Sequence, residues 1–438
     1  MGRALRGGSL RRGRGSVRRL TRAIAGLGLA WGVAACDQLG SVARPEVPLW
    51  VHHPGSALNV EARRDLSVKK LDAGEPYERG VPTLDPAHRR LFVGSSDHGL
   101  YALSTVTLAS HWRFETGGAV QGEPLYDQGE DAVYFGSNDG ALYKLRAADG
   151  KLLWRFATNG EILRKPVLAG KTLYALNAND TLVAVHKDTG KLRWYRQRTS
   201  AFGMEIAGYA GPTCHDGLVY AAFSDGVVLA YRAQDGSEAW SAPVDLTADA
   251  EQASAKGELR YLDIDTTPVL APITTENGQD LGLFVASYEG GVYALDPKSG
   301  GQLWRNEKAT GVTELVAWTG PRKPRDATTR EPLTTRTILV ASSGLTGLWG
   351  LGPDEGDVLW RKELPAGGLT PVAPWSGALL VGTSRYGLFL VHPLDGSILD
   401  GIAAGGSYAA APATHGRRAF AMSNDGVLTA LSLEPPRR

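Results

Sequence analysis

Apolar and polar positions alternate along this chain in short runs of four to seven residues, broken by glycine and aspartate. One stretch sets the pattern. Ala132-Val133-Tyr134-Phe135 and Ala141-Leu142-Tyr143-Lys144-Leu145 flank Asn138-Asp139-Gly140. Two β-prone runs around Asn-Asp-Gly predict a tight hairpin. Asp149-Gly150 then predicts a second turn, into a third run that ends at Trp154. The period is that of strands, and few segments carry a helical one.

The hairpin recurs eight times, at Ser96–Gly99, Ser137–Gly140, Asn177–Asp180, Ser224–Gly226, Ser287–Gly290, Ser342–Gly344, Ser384–Gly387 and Ser423–Gly426. Several repeats are about 40 residues apart, the length of a four-stranded propeller blade. Tryptophans end the strands at Trp112, Trp154, Trp194, Trp240, Trp304 and Trp360, and Asp400 takes that place in the seventh unit. The eighth unit has no final strand after Leu433, whereas Val47-Pro48-Leu49-Trp50-Val51 is a spare tryptophan strand at the other end. The expected fold is an all-β, eight-bladed β-propeller of four-stranded antiparallel blades, its last blade closed by that N-terminal strand. Closure of this kind removes open sheet edges.

The repeat is interrupted twice, by a polar stretch at 245–258 and a basic, proline-containing one at 319–336. Long loops on a rigid scaffold are common carriers of function.

Charge alters the picture at the N-terminus. Residues 1–35 hold eight arginines and no acid, so the rest has 39 basic residues against 46 acidic ones. That mildly acidic body argues against a nucleic-acid groove. The arginines lead into an apolar run and then Val33-Ala34-Ala35-Cys36, the layout of a secretory signal. The four residues resemble a bacterial lipobox. The resemblance implies cleavage before Cys36, its acylation, and a membrane anchor. Expected boundaries are 1–35 for the signal, 36–46 for a tether and 47–438 for the propeller. Asp37 resembles an inner-membrane retention signal, against an otherwise outer-membrane, periplasm-facing location. Cys214 is the one other cysteine and reads as a buried apolar residue.

The repeat resembles that of pyrroloquinoline-quinone (PQQ) type propellers. Within that class, Asp263-Ile264-Asp265-Thr266-Thr267-Pro268 resembles a blade entry of the BamB family, lipoproteins of the outer-membrane barrel-assembly machine. Met204-Glu205-Ile206-Ala207-Gly208 aligns with a second BamB motif, in which Ala207 replaces an expected arginine. The resemblance implies a non-catalytic periplasmic scaffold without cofactor or metal, monomeric within its complex. Met204, Ile206, Asp263 and Asp265 would meet the barrel-forming subunit. Asp263 and Asp265 alternate with Ile264, which on a strand would turn both carboxylates to one side; they could receive a partner cation or cap turns within the fold. Two alternatives stand beside this. One is a small PQQ-dependent dehydrogenase, although no adjacent cysteines or evident calcium-binding acids support it; the other is a generic adaptor of another envelope complex.

Overall fold

The computed structural model describes residues 57–66, 78–198, 210–244, 264–276, 278–321, 335–364, 367–385, 387–403 and 406–434. These form 32 strands in eight four-stranded antiparallel sheets. Blade one is β2 (Thr83–Asp85), β3 (Arg90–Gly94), β4 (Gly99–Ser104) and β5 (Ser110–Glu115); six further blades follow in chain order through β29 (Ile398–Ile402). The middle strands are nearly all buried, as in β7 (Ala132–Gly136) and β11 (Thr172–Leu176), because neighbouring blades cover both faces.

All eight predicted hairpins join the second and third strands of a blade. They share one end of the propeller with the linkers that lead from blade to blade, here the linker face. The remaining turns occupy the opposite end, the turn face.

The tryptophans stitch blade to blade at the turn face. Trp154 Nε1 donates to the Lys187 carbonyl at 2.8 Å, Trp240 to Pro297 at 2.9 Å and Trp360 to Pro393 at 2.9 Å. Each indole rests on the turn glycine of the next blade. Gly300, at φ 75°, is such a floor, since a Cβ there would lie 2.6 Å from Trp240 Cε3. Just before this position every outer strand carries one extra residue. Leu153, Leu303 and Leu399 are examples, and the same break in register occurs in all eight blades. A bulge twists an exposed edge away from further pairing.

Closure uses an N-terminal strand, but a different one from that expected. The eighth blade, β30 (Ala413–His415), β31 (Arg418–Met422) and β32 (Val427–Leu433), is completed by β1 (Leu58–Asp65). Residues 47–51, including Trp50, lie outside the described residues. Ala62 stands opposite Ala430 with Glu61 as the bulge, so a small residue holds the tryptophan register. Its neighbour, Leu108, replaces the usual glycine and is buried at φ 56°. Large and small have changed places across this seam. On its other side no turn exists to receive a tryptophan, because the chain ends interrupt the blade. There the Asp400 carboxylate instead accepts the amides of Ala57 at 2.6 Å and Leu58 at 2.9 Å.

The second interruption of the repeat is a lengthened inner hairpin of blade six. β22 (Val312–Pro321) pairs with β23 (Thr335–Ser343) out to Pro321 and Thr335, on the turn face. Residues 322–334, like 245–263, lie outside the described residues.

Candidate partner-binding face

The linker face is bound together by backbone hydrogen bonds that alternate between hairpin and linker. The Val120 amide donates to the Ser95 carbonyl at 3.0 Å, and the Asn138 amide to Ala119 at 2.8 Å. The Ile162–Ser137 and Ala178–Glu161 bonds repeat the scheme in the next blade. A linker held this way presents its side chains from a rigid frame.

Of the site residues expected from sequence, Asp265 lies on this face. Cys36, Met204, Ile206 and Asp263 lie outside the described residues. Asp265 is in the linker ahead of β18 (Val269–Thr275) rather than on the strand. Its partly exposed side chain, with Oδ1 buried, follows Ile264, which is 1% exposed and fixed in the core between blades four and five. The next three residues fasten this linker. Thr266 Oγ1, buried, accepts the Ala286 amide at 2.7 Å. Thr267 Oγ1 accepts the Gly211 amide at 2.9 Å, and the Pro268 carbonyl accepts Thr213 Oγ1 at 2.6 Å. The entries of blades four and five are therefore bonded directly to one another.

Two residues that sequence reasoning did not single out complete the site. Arg164, in the linker into blade three, pairs through Nη1 with Glu314 Oε1 on β22 of blade six, and its Nη2 donates to the Asp265 carbonyl at 3.3 Å. Burial pushes the Glu314 carboxyl up, with Arg164 opposing. Beside them Lys165 pairs with Glu123, which accepts Thr83 Oγ1 at 3.0 Å. Two ion pairs, Arg164–Glu314 and Lys165–Glu123, thus join side chains drawn from several blades.

A second cluster ties blades three and four. Asp180, 2% exposed, accepts the Ser224 hydroxyl, and Arg198 pairs with Asp225. Burial raises the Asp180 carboxyl above its ordinary value, with Ser224 opposing. A raised folded-state pKa means that ionisation opposes folding, so the cost is absent below the unfolded value and complete above the folded one. Asp180→Asn keeps an acceptor for Ser224 and tolerates the φ of 50°. It is expected to stabilise the protein by about 1 kcal/mol at pH 8 and not at all near pH 3, read from urea unfolding at the two values.

On the turn face, Glu130 accepts Lys144 Nζ at 2.5 Å and pairs with Lys187 at 2.8 Å. Those lysines hold its carboxyl down at about 2. This contribution is present above the unfolded glutamate value and is lost as pH falls toward 2. Glu130→Gln should therefore lower the thermal midpoint at pH 7, with the deficit vanishing near pH 2. A deficit unchanged by pH would refute that assignment.

Other chemistry finds little footing. Burial pushes the Cys214 thiol up to about 12, so it is a poor nucleophile. Among the described residues one trio, Asp85, His88 and Asp131, has donor atoms close enough together for a metal. Arg90 sits inside it, bonded to Asp85 at 2.7 Å and paired with Asp131. A guanidinium there satisfies both carboxylates, which does not fit the oxygen cage of calcium. Glu314 is likewise taken by Arg164, so these residues do not fit the calcium-bound quinone implied by the PQQ name.

Eight blades, each sealed by a tryptophan on its neighbour's turn or by a substitute at the closure, define a propeller of the PQQ-like repeat class. The family model described as outer membrane protein assembly factor BamB matches residues 128–321. The BamB of Legionella pneumophila (strain Paris) is 25% identical over 225 residues, 51% of this chain and 50% of that one. The chain spans about half the length of the curated relatives it matches. The crystal structure of BamB from Moraxella catarrhalis superposes with a TM-score of 0.65 at 18% identity, covering 86% of this chain and 99% of that one. A quinohemoprotein alcohol dehydrogenase from Comamonas testosteroni gives 0.61 at 14% identity, covering 94% and 85%. At such identities the structural likeness establishes the fold alone. The sequence matches add a likeness to BamB-type propeller proteins over about half of the chain.

Proposed function

We propose that this chain is a non-catalytic scaffold of the bacterial cell envelope that assists assembly of outer-membrane β-barrel proteins. It docks on the barrel-forming subunit of the assembly machinery through Met204, Ile206, Asp263 and Asp265. Cys36 carries the lipid that holds the propeller at the periplasmic side of the outer membrane, with residues 36–46 as tether. The observation that carries this reading is the fastening of the blade-five entry. Thr266 and Thr267 fasten the linker through a buried and a part-buried bond, with Asp265 partly exposed on that frame. The BamB match, which runs through this segment, supports it.

Affinity capture of the full-length protein from detergent-solubilised membranes should recover the barrel-forming subunit. Clean recovery without it would refute the reading. Reversing both acids (Asp263→Arg with Asp265→Arg) should weaken capture by about a hundredfold and leave thermal stability near that of the wild type. A collapse in stability instead would assign the two acids to the fold. Cys36→Ser should abolish labelling with radioactive palmitate and release the protein from the membrane.

A further inference from the structure

We infer that Arg164 is the positioning residue of this docking face, pinning the entries of blades four and five into one rigid unit. The inference rests on the docking role proposed for Asp265 and concerns a residue that contributes no partner contact of its own.

The geometry is specific. Arg164 enters from the blade-three linker, and its partner Glu314 is 150 residues away on the inner strand of blade six. Between them lie the entries of blades four and five, and Arg164 touches both. A Cβ added to Gly211 would meet the Arg164 Cβ at 3.4 Å and Thr267 Oγ1 at 3.0 Å, so the Arg164 stem packs on the backbone entering blade four. The Asp265 carbonyl accepts from the guanidinium at 3.3 Å, which fixes the peptide immediately after the Asp265 side chain. One side chain therefore reaches four consecutive blades.

The chemistry suits a pin better than a docking contact. The side chains of Glu314 and Arg164 are 13% and 28% exposed. A carboxylate so enclosed is costly without its cation. Arginine supplies several donors in a fixed plane, so one guanidinium serves a carboxylate and a carbonyl together, which a lysine ammonium does less well. Asp265 also lies close enough to repel Glu314. Removing the cation would leave two acids pushing apart at the point where the blade-five entry must hold still.

The test uses the mature chain and two readouts. The paired variant Arg164→Gln with Glu314→Gln leaves no buried charge unpaired and should fold as a monomer with wild-type circular dichroism. Hydrogen exchange at residues 210–213 and 264–268 should accelerate about tenfold in it, and affinity for the purified periplasmic region of the barrel-forming subunit should fall by about tenfold. Arg164→Lys should fall between this variant and wild type on both measures. Wild-type exchange and wild-type affinity in the folded paired variant would overturn the inference. Should the wild type itself not bind, the docking reading fails, while the exchange measurement still decides whether Arg164 is the pin.

Discussion

A chain lacking residues 1–66 is expected to associate instead of closing, because it loses the outer strand of the eighth blade. β1 pairs with β32 from Leu58 opposite Leu433 to Asp65 opposite Val427. Its two ends are anchored on different sides. Leu58 is 2% exposed, in a cluster with Trp375 and Tyr408, and Leu66 is 5% exposed, against Leu91 and Val93 of blade one. Removal would bare apolar surface in both clusters and leave β32 as a flat unpaired edge, which invites pairing with another molecule. Light scattering coupled to size exclusion should show oligomers. A synthetic peptide of residues 57–66, added during refolding, should restore the monomer. A truncated chain that stays monomeric at the wild-type melting temperature would show that β1 is dispensable.

Trp240→Ala should destabilise the protein by about 3–5 kcal/mol. The indole is 8% exposed, lies 5.9 Å from the Tyr220 ring and donates to the Pro297 carbonyl of the next blade. Alanine would leave a cavity on the floor made by Gly300, and the Pro297 carbonyl would keep only its bond from the Tyr220 hydroxyl at 3.2 Å. Trp112, at the same register of blade one, is only partly buried, so Trp112→Ala should cost clearly less. Equal losses in chemical unfolding would show that burial at this seam does not set the cost.

The contrast between these tryptophans and the closing seam explains what could be read from the sequence. Eight hairpins and six tryptophans recur with enough regularity to define the blade count and the order of strands. The identity of the closing strand could not be read by that rule, because the seam breaks it. Trp50 offered the expected letter, yet the strand in place carries Ala62, and the complementary bulk comes from Leu108 on the neighbouring turn. A size exchange across two blades leaves no mark in either segment alone. The candidate site divides the same way. Asp265 stands within a continuous motif and could be singled out. Arg164 and Glu314 form their pair between blades three and six, and neither has local sequence that announces it. The lengthened hairpin of blade six was visible as an interruption, but its placement on the turn face, away from Asp265, followed only from strand order.

The closing strand also determines how the propeller bears load. β1 lies antiparallel along β32, and tension applied at Ala57 in line with β1 would load that whole ladder. Its interstrand bonds are then strained together, in shear, instead of opening one after another like a zip. The end that feels the pull first is the one where Asp400 grips two successive amides. Blade seven thus supplies the cleat for a rope spliced into blade eight. A propeller tethered through its N-terminus would pass force into two blades at once, leaving the linker face around Asp265 outside the strained path.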